Sequence, residues 1–169
     1  MLKTLKTGWH VLYVRSRHEK KVHSLLEENQ LESFLPMIRT ISQWTDRQKI
    51  ILKPLFPSYV FVKINSIKDF NKALTINGVC SYVRCGGEYA KLKDEEINNI
   101  RLVVDVEDIT DLEMNTQNYE AGEVKKIFCG PLIGLECEIL KYKNRHKILV
   151  RIDSIPQNIT ATIPSHYLQ

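Results

Sequence analysis

The residues best able to bind a metal or attack a substrate in this 169-residue chain are four cysteines and five histidines. Cys80, Cys85, Cys129 and Cys137 form no C-x-x-C pair, and their gaps do not match a zinc ribbon, so they are expected to be free, mostly buried thiols. His10, His18, His23, His146 and His166 lack zinc-protease spacing, and His18 and His23 do not share a helix face. No P-loop or dinucleotide-type glycine pattern occurs, and no Ser or Cys stands in a nucleophile-elbow context. The expectation is therefore a protein without metal or cofactor that is not an enzyme.

Recognition is the chemistry that remains. The densest aromatic and apolar cluster is Pro54-Leu55-Phe56-Pro57-Ser58-Tyr59-Val60-Phe61-Val62-Lys63-Ile64. Strand alternation turns Val60, Val62 and Ile64 one way and Tyr59, Phe61 and Lys63 the other. If helices cover the Val and Ile side, then Tyr59 and Phe61, joined by Trp9 and Tyr13, form an aromatic patch on an open face, the usual mark of a binding surface. An ordinary two-sided core would absorb the same residues, and alternation alone does not choose between the two.

These residues need elements to position them. Trp9 to Arg15 alternates as a strand, and Ser16-Arg17-His18-Glu19 fits a capping box ahead of Val22, Leu25 and Leu26 at helical spacing. Phe34 to Trp44 and Lys49 to Lys53 are β-rich and flank Thr45-Asp46-Arg47, which predicts a hairpin before the strand Tyr59 to Ile64. Ser66-Ile67-Lys68-Asp69 starts a second helix with Phe70, Ala73 and Leu74 as its apolar stripe and Asn77-Gly78 as its stop. Val79 to Val83 and Tyr89 to Leu92 bracket Gly86-Gly87 as another hairpin, and Asp94, Glu95 and Glu96 suit the positive start of a third helix. The order βα, ββ, αβ predicts an α+β, ferredoxin-like split βαβ domain with an antiparallel sheet over residues 1–104.

Residues 105–118 lose periodicity, turn acidic and contain no aromatic residue, so they read as a linker. From a boundary near Tyr119, the runs Gly122 to Phe128, Glu136 to Tyr142, Lys147 to Ile152 and Ile159 to Ile163 predict a small β-barrel over 119–169. Hydrophobic residues make up 43% of the chain and charged residues 26%, a balance that argues against disorder and against a membrane protein. Met1 to His10 carries no apolar run long enough for a signal peptide, which predicts a cytoplasmic location. The net charge of +4 is uneven: residues 1–64 hold 11 Lys and Arg against 5 Asp and Glu, while residues 65–118 hold 6 against 10. A basic front suits one region touching nucleic acid, although a solvated basic face has the same composition.

Four segments carry a resemblance. Trp9 to Lys21 (WHVLYVRSRHEKK), Pro54 to Ile64 (PLFPSYVFVKI), Gly78 to Gly86 (GVCSYVRCG) and Gly122 to Glu138 (GEVKKIFCGPLIGLECE) resemble, in order and spacing, NusG and its specialised paralogues. The first three are similar to the NusG N-terminal (NGN) domain. The last is similar to the SH3-like KOW barrel, whose G-E-x-V element is matched by Gly122 to Val124 without the intervening residue and whose G-P-x-x-G element is Gly130 to Gly134. Arg15 to Lys21 with Gln43-Trp44-Thr45-Asp46-Arg47 most resembles the UpxY-type antitermination factors.

The resemblance implies a transcription elongation and antitermination factor that binds RNA polymerase across its clamp and suppresses pausing at specific operons. It implies polymerase contacts at Trp9, Tyr13, Phe56, Tyr59 and Phe61, and a second contact, on the opposite pincer, at Asp69, Phe70 and Asn71. Arg15, Arg17, His18 and Lys21 match positions that approach the non-template DNA strand. In the KOW module Cys137 replaces a glycine, and Ile155-Pro156-Gln157 replaces a Phe-Gly-Arg turn that holds Rho or a ribosomal protein. Ile155 is then the partner contact; a ribosomal protein remains a partner, and Rho binding is not expected. The alternative is a standalone RNA-binding or ribosome-associated protein whose RRM-like sheet stacks bases on Tyr59 and Phe61.

Overall fold

The computed structural model describes residues 7–107, 109–115, 122–127, 131–142 and 145–168. Cys129, the boundary near Tyr119, and Phe128 and Gly130 of the expected barrel lie outside the described residues. Contacts divide the chain into two compact units, 1–94 and 95–169, a division ten residues ahead of the one composition suggests.

The first unit runs β1 (Gly8–Val14), α1 (Glu19–Glu28), β2 (Ser33–Phe34), β3 (Met37–Gln43), β4 (Gln48–Pro54), β5 (Tyr59–Ile64), α2 (Ile67–Leu74), β6 (Val79–Tyr82), β7 (Arg84–Cys85), β8 (Glu88–Tyr89) and β9 (Lys91–Leu92). The main sheet has the order β2-β5-β1-β6, with β9 also paired to β1, and every pairing is antiparallel. Placing β1 between β5 and β6 is the split βαβ order. Alternation along β1 and β5 sends Leu12, Val14, Val60, Val62 and Ile64 to one face, where they pack with Val22, Leu26 and Ala73 of the two helices. Each is fully buried, and each Val, Leu and Ile among them stabilises the fold by about 1.5–3 kcal/mol.

The two expected helix starts form differently. At α2, Ser66 Oγ accepts the Asp69 N–H at 3.1 Å and Asp69 Oδ2 accepts the Asn65 N–H at 3.2 Å, so short polar side chains satisfy free amides. At α1 the Ser16 capping box is absent. The N-cap is His18, with no side-chain cap bond, and Arg17 stands at φ 63° in the preceding turn. Arg17 and His18 thus lie ahead of the first helical turn rather than in it. Tertiary structure wins here because the buried Glu19 carboxylate is used elsewhere: its Oε1 accepts the Ser58 N–H at 2.8 Å.

Helix α2 stops at Leu74, ahead of the expected Asn77-Gly78, but Gly78 still has a specific role. It has φ 102°, and a Cβ there would lie 2.9 Å from Val22 Cγ2, so only glycine lets this turn approach α1. The β3–β4 hairpin forms as predicted, whereas of the second predicted hairpin β6 and β9 each pair with β1 and only the shorter β7–β8 hairpin closes at the glycines. Gly86 and Gly87 (φ 60° and 82°) turn β7 into β8 with the left-handed pair of a type I′ turn. Trp44 and Arg47 exchange backbone bonds of 3.1 and 3.3 Å between β3 and β4.

The second unit carries α3 (Asp94–Val104), whose start matches its acidic signal, then β10 (Thr110–Asn115), β11 (Glu123–Lys126), β12 (Glu136–Tyr142), β13 (Arg145–Ile152) and β14 (Gln157–Ile163). Its antiparallel sheet has the order β10-β14-β13-β12-β11. Strand β10 falls inside the expected linker: it pairs on one side only, with β14, so an edge strand forms without the apolar alternation that announces one. Ile148, Leu149 and Val150 are consecutively buried, so β13 is covered on both faces. Glu96 is buried and accepts the Ser154 N–H at 3.1 Å and the Ser154 hydroxyl at 2.6 Å, which ties α3 to the β13–β14 turn. Across β12 and β13, Arg151 donates Nε to Glu138 Oε1 at 2.5 Å and a terminal guanidinium N–H to Oε2 at 3.0 Å, while Gly122 N–H adds a bond at 3.1 Å.

Among the described residues, no helix is long and apolar enough to cross a membrane.

Candidate polymerase and nucleic-acid interface

The antiparallel register pairs Trp9 with Lys63, Val11 with Phe61 and Tyr13 with Tyr59. The aromatic residues singled out by alternation therefore share one face of the β1–β5 ladder. Their exposure divides them. Trp9, Phe56 and Phe61 are buried, Phe61 at 0%, whereas Tyr13 is 46% exposed and Tyr59 half-buried. The expected open patch is thus a buried aromatic cluster with two tyrosines beside it on the same sheet face. Phe56 meets Phe61 edge-on at 5.5 Å, Phe34 stacks on Phe61 at 6.1 Å, and Tyr13 meets Tyr59 edge-on at 6.4 Å. Phe34 was not distinguishable from its spacing, because its strand spans only Ser33–Phe34. As placed, Phe61 offers no face to a nucleic-acid base, so an RRM-like platform keeps only Tyr59.

Position along β5 depends on the turn before it. Ser58 has φ 64°, and its carbonyl accepts the Val14 N–H at 2.9 Å while its own N–H is held by Glu19. The first residue of α1 therefore fixes the backbone from which Tyr59 projects. Directly after β1, Arg15 and Arg17 are exposed, as is Lys21 on α1, with His18 half-buried between them. His18 Nδ1 lies 3.1 Å from the Ser16 carbonyl, and Arg15 N–H donates to Gly78 O at 2.9 Å. Arg15, Arg17 and His18 lie on the strand-to-helix turn that follows Tyr13 and Val14, and Lys21 lies in the first turn of α1.

Asp69, Phe70 and Asn71 are less available. The Asp69 carboxylate serves the helix start, and Phe70 stacks flat on Tyr82 at 4.0 Å while its carbonyl accepts the Tyr82 hydroxyl at 2.9 Å. Tyr89 and His10 close this cluster edge-on, and Arg84 lies 4.6 Å over the Tyr89 ring. Burial, opposed by the Gly8 carbonyl and reinforced by Lys91, holds the His10 pKa below its ordinary value. Only Asn71 of the three is exposed. The cluster was not legible in advance, because it joins β1, α2, β6 and β8 without any local spacing.

In the second unit Ile155 is buried, packed in the turn that Glu96 holds through Ser154. It acts there as a core side chain, so the partner contact expected at this position is not presented. Cys137 is also buried, which pushes its thiol up to about 11, whereas Cys80 and Cys85 are exposed, contrary to the expectation of mostly buried thiols. Both exposed cysteines lie on short strands at the margin of the first unit, where the residues before and after the Gly86-Gly87 turn face solvent.

The family model described as transcription termination factor NusG matches residues 7–101. The chain belongs to the NusG family. Its α+β architecture with antiparallel sheets and three helices, among the described residues, is that of the NusG N-terminal domain. The solved structure of Thermotoga maritima NusG, reported for its domain interaction, shares 20% identity with this NusG-family chain over 96% of each, with a TM-score of 0.52. The MjSpt4:Spt5 complex overlaps more loosely: conformations A and B give 16% and 17% identity and TM-scores of 0.33 and 0.35. Each covers 95% of this chain, and 96% and 95% of its own. No curated protein sequence matches. Family membership makes the chain a transcription elongation factor in general, from a family of non-enzymatic proteins.

Proposed function

We propose that this NusG-family factor rides on RNA polymerase, binding across the clamp through the face built by Trp9, Tyr13, Phe56, Tyr59 and Phe61, and that it opposes pausing and termination at specific operons, as an UpxY-type antitermination factor does. The observation that carries the reading is the Tyr13–Tyr59 pair, Tyr13 exposed and Tyr59 half-buried, on the same sheet face as buried Trp9 and Phe61. Tyrosines bury a large area with few rotors to freeze, and strands held by a packed core lower the ordering cost further. Asn71, with Asp69 and Phe70 shaping the start of α2, is the second contact. Holding both pincers of the clamp shifts its population toward the closed state, which needs no catalysis. Arg15, Arg17, His18 and Lys21 approach the phosphates of the non-template strand. The second unit serves as the KOW module, binding a ribosomal protein through a surface other than buried Ile155 and lacking the aromatic turn that holds Rho.

The test is binding of the purified factor to its core polymerase, with a pause assay alongside. Tyr13→Ala with Tyr59→Ala is expected to weaken binding by at least about tenfold, as for a central aromatic pair, and to abolish the antipausing effect. Binding at wild-type strength by the folded double variant would overturn the proposed surface.

A further inference from the structure

The β3–β4 hairpin is a two-stranded ribbon outside the main sheet. Its register pairs Ile41 with Ile50 and Arg39 with Leu52 on one face, and Thr40 with Ile51, Ser42 with Lys49 and Ile38 with Lys53 on the other. The second face turns inward at its base, where Ile38 is buried and Thr40 half-buried. The first face is open: Ile41 is 64% exposed, Ile50 67% and Leu52 54%, with Trp44 at the tip 76% exposed. Three aliphatic side chains and a tryptophan leave on the order of 400 Å² of surface in water, the size at which an apolar patch on a monomer is commonly functional. A lone two-stranded ribbon is also marginal by itself, so it gains order from whatever covers it.

Charge identifies the occupant. Residues 37–54 carry Arg39, Arg47, Lys49 and Lys53 against the single acid Asp46, a net charge of 4 − 1 = +3. Lys49 and Lys53 lie on the reverse face, Arg47 lies in the turn, and only Arg39 of the four cations shares the open face, at the base of the strip across from Leu52, so the cations border the aliphatic strip instead of filling it. A nucleic-acid duplex would require several cations on the contacting face, which presents Arg39 alone. An aliphatic strip with cationic margins is complementary to a protein surface with an apolar centre and an acidic rim.

We propose that the β3–β4 hairpin is a docking arm for such an acidic-rimmed protein surface, and that this surface belongs to the core RNA polymerase. The identity of the partner rests on the reading that the chain rides on polymerase; the chemistry of the arm does not. The arm adds a third polymerase contact, separate from the Tyr13–Tyr59 face and from Asn71, with Trp44 as its anchor.

The experiment measures affinity of the full chain for nucleic-acid-free core polymerase, then for an elongation complex containing upstream duplex DNA, at two salt concentrations. Ile41→Thr with Ile50→Thr and Leu52→Thr keeps β-favouring side chains in the strands while removing the aliphatic face. Trp44→Thr, in the turn outside both strands, tests the arm without touching its ladder. Each variant is expected to bind core polymerase at least about tenfold more weakly. Lys49→Gln with Lys53→Gln is expected to flatten the salt dependence. Affinity within about twofold of wild type for both variants would overturn the proposal, as would a loss confined to complexes holding duplex DNA, which would make the arm a nucleic-acid contact. Failure of the wild-type chain to bind core polymerase would overturn the proposed function as well. Loss of binding in the Tyr13 and Tyr59 double variant but not in the arm variants would leave that function standing and remove only the arm.

Discussion

Replacing Glu19 with alanine, beside a Ser16→Ala control, tests which residue organises the start of α1. In a capping box Ser16→Ala would cost about 1 kcal/mol. In the structure Ser16 caps nothing, and the expected cost is within about 0.5 kcal/mol of zero, as for a surface change. Glu19→Ala removes a charged acceptor from the Ser58 N–H, bonded at 2.8 Å by a side chain that is almost fully buried. A hydrogen bond to a charged group contributes about 1.5–3 kcal/mol, and the acid in the first helical turn adds roughly 0.3–1 kcal/mol. The expected cost is therefore about 2–4 kcal/mol. Glu19→Gln keeps an acceptor and loses the charge, so its cost falls to roughly 1 kcal/mol. Urea unfolding followed by tryptophan fluorescence resolves these values in a Trp44→Phe background, where the signal comes from buried Trp9 alone. With a slope of about 1–1.5 kcal/mol per molar urea for a unit of this size, the Glu19→Ala midpoint drops by roughly 1.3–4 M. An alanine at position 19 that costs less than the alanine at position 16 would refute the reasoning.

Arg151, hydrogen-bonded to Glu138, holds that carboxyl below its ordinary range, with the Gly122 N–H assisting and burial opposing. A depressed folded pKa gives stability that is present above the unfolded value of about 4.5 and lost as pH falls through the folded value. Arg151→Gln is thus expected to cost about 1 kcal/mol at pH 7 and much less near pH 3, read from urea midpoints across that range. Among the described cysteines, Cys80 and Cys85 are expected to react with a thiol reagent within minutes at pH 7.5, and buried Cys137 only on unfolding, as mapped by mass spectrometry. A fragment of residues 95–169 is expected to give a cooperative thermal transition, and one of residues 119–169 a weaker transition or none, because the second lacks α3 and β10; equal midpoints by circular dichroism would reject this.

Much of the first unit was legible in advance because its signals are local. Alternation in Tyr59–Ile64, the Ser66 cap, the paired glycines 86 and 87 and the acidic start at Asp94 each act over a few residues and survive folding unchanged. Signals that depend on a distant partner were lost. Glu19 reads as a capping residue until Ser58, 39 positions away, claims its carboxylate. Likewise β10 needs β14 to become a strand, and Phe70 needs Tyr82 to become part of a core. The aromatic face is the intermediate case: period two assigns Trp9, Tyr13, Tyr59 and Phe61 to one side, but which of them reach solvent is decided by packing.

One flank of β1 is shared between two partners, β6 along Leu12 to Val14 and β9 at Trp9 and His10, with the β7–β8 excursion between them. Neither partner offers a long run of free amides: β6 has four residues and β9 has two. On the opposite flank the sheet ends at β2, also two residues long. Both margins of this sheet are therefore too short to template a strand from another molecule, a protection against aggregation that comes from strand length. In the same unit the seven-residue strands β3 and β4 have no such protection. Self-association of the concentrated protein should therefore begin on that ribbon, and a charged residue introduced there would improve solubility while leaving the sheet that carries Tyr13 and Tyr59 unaltered.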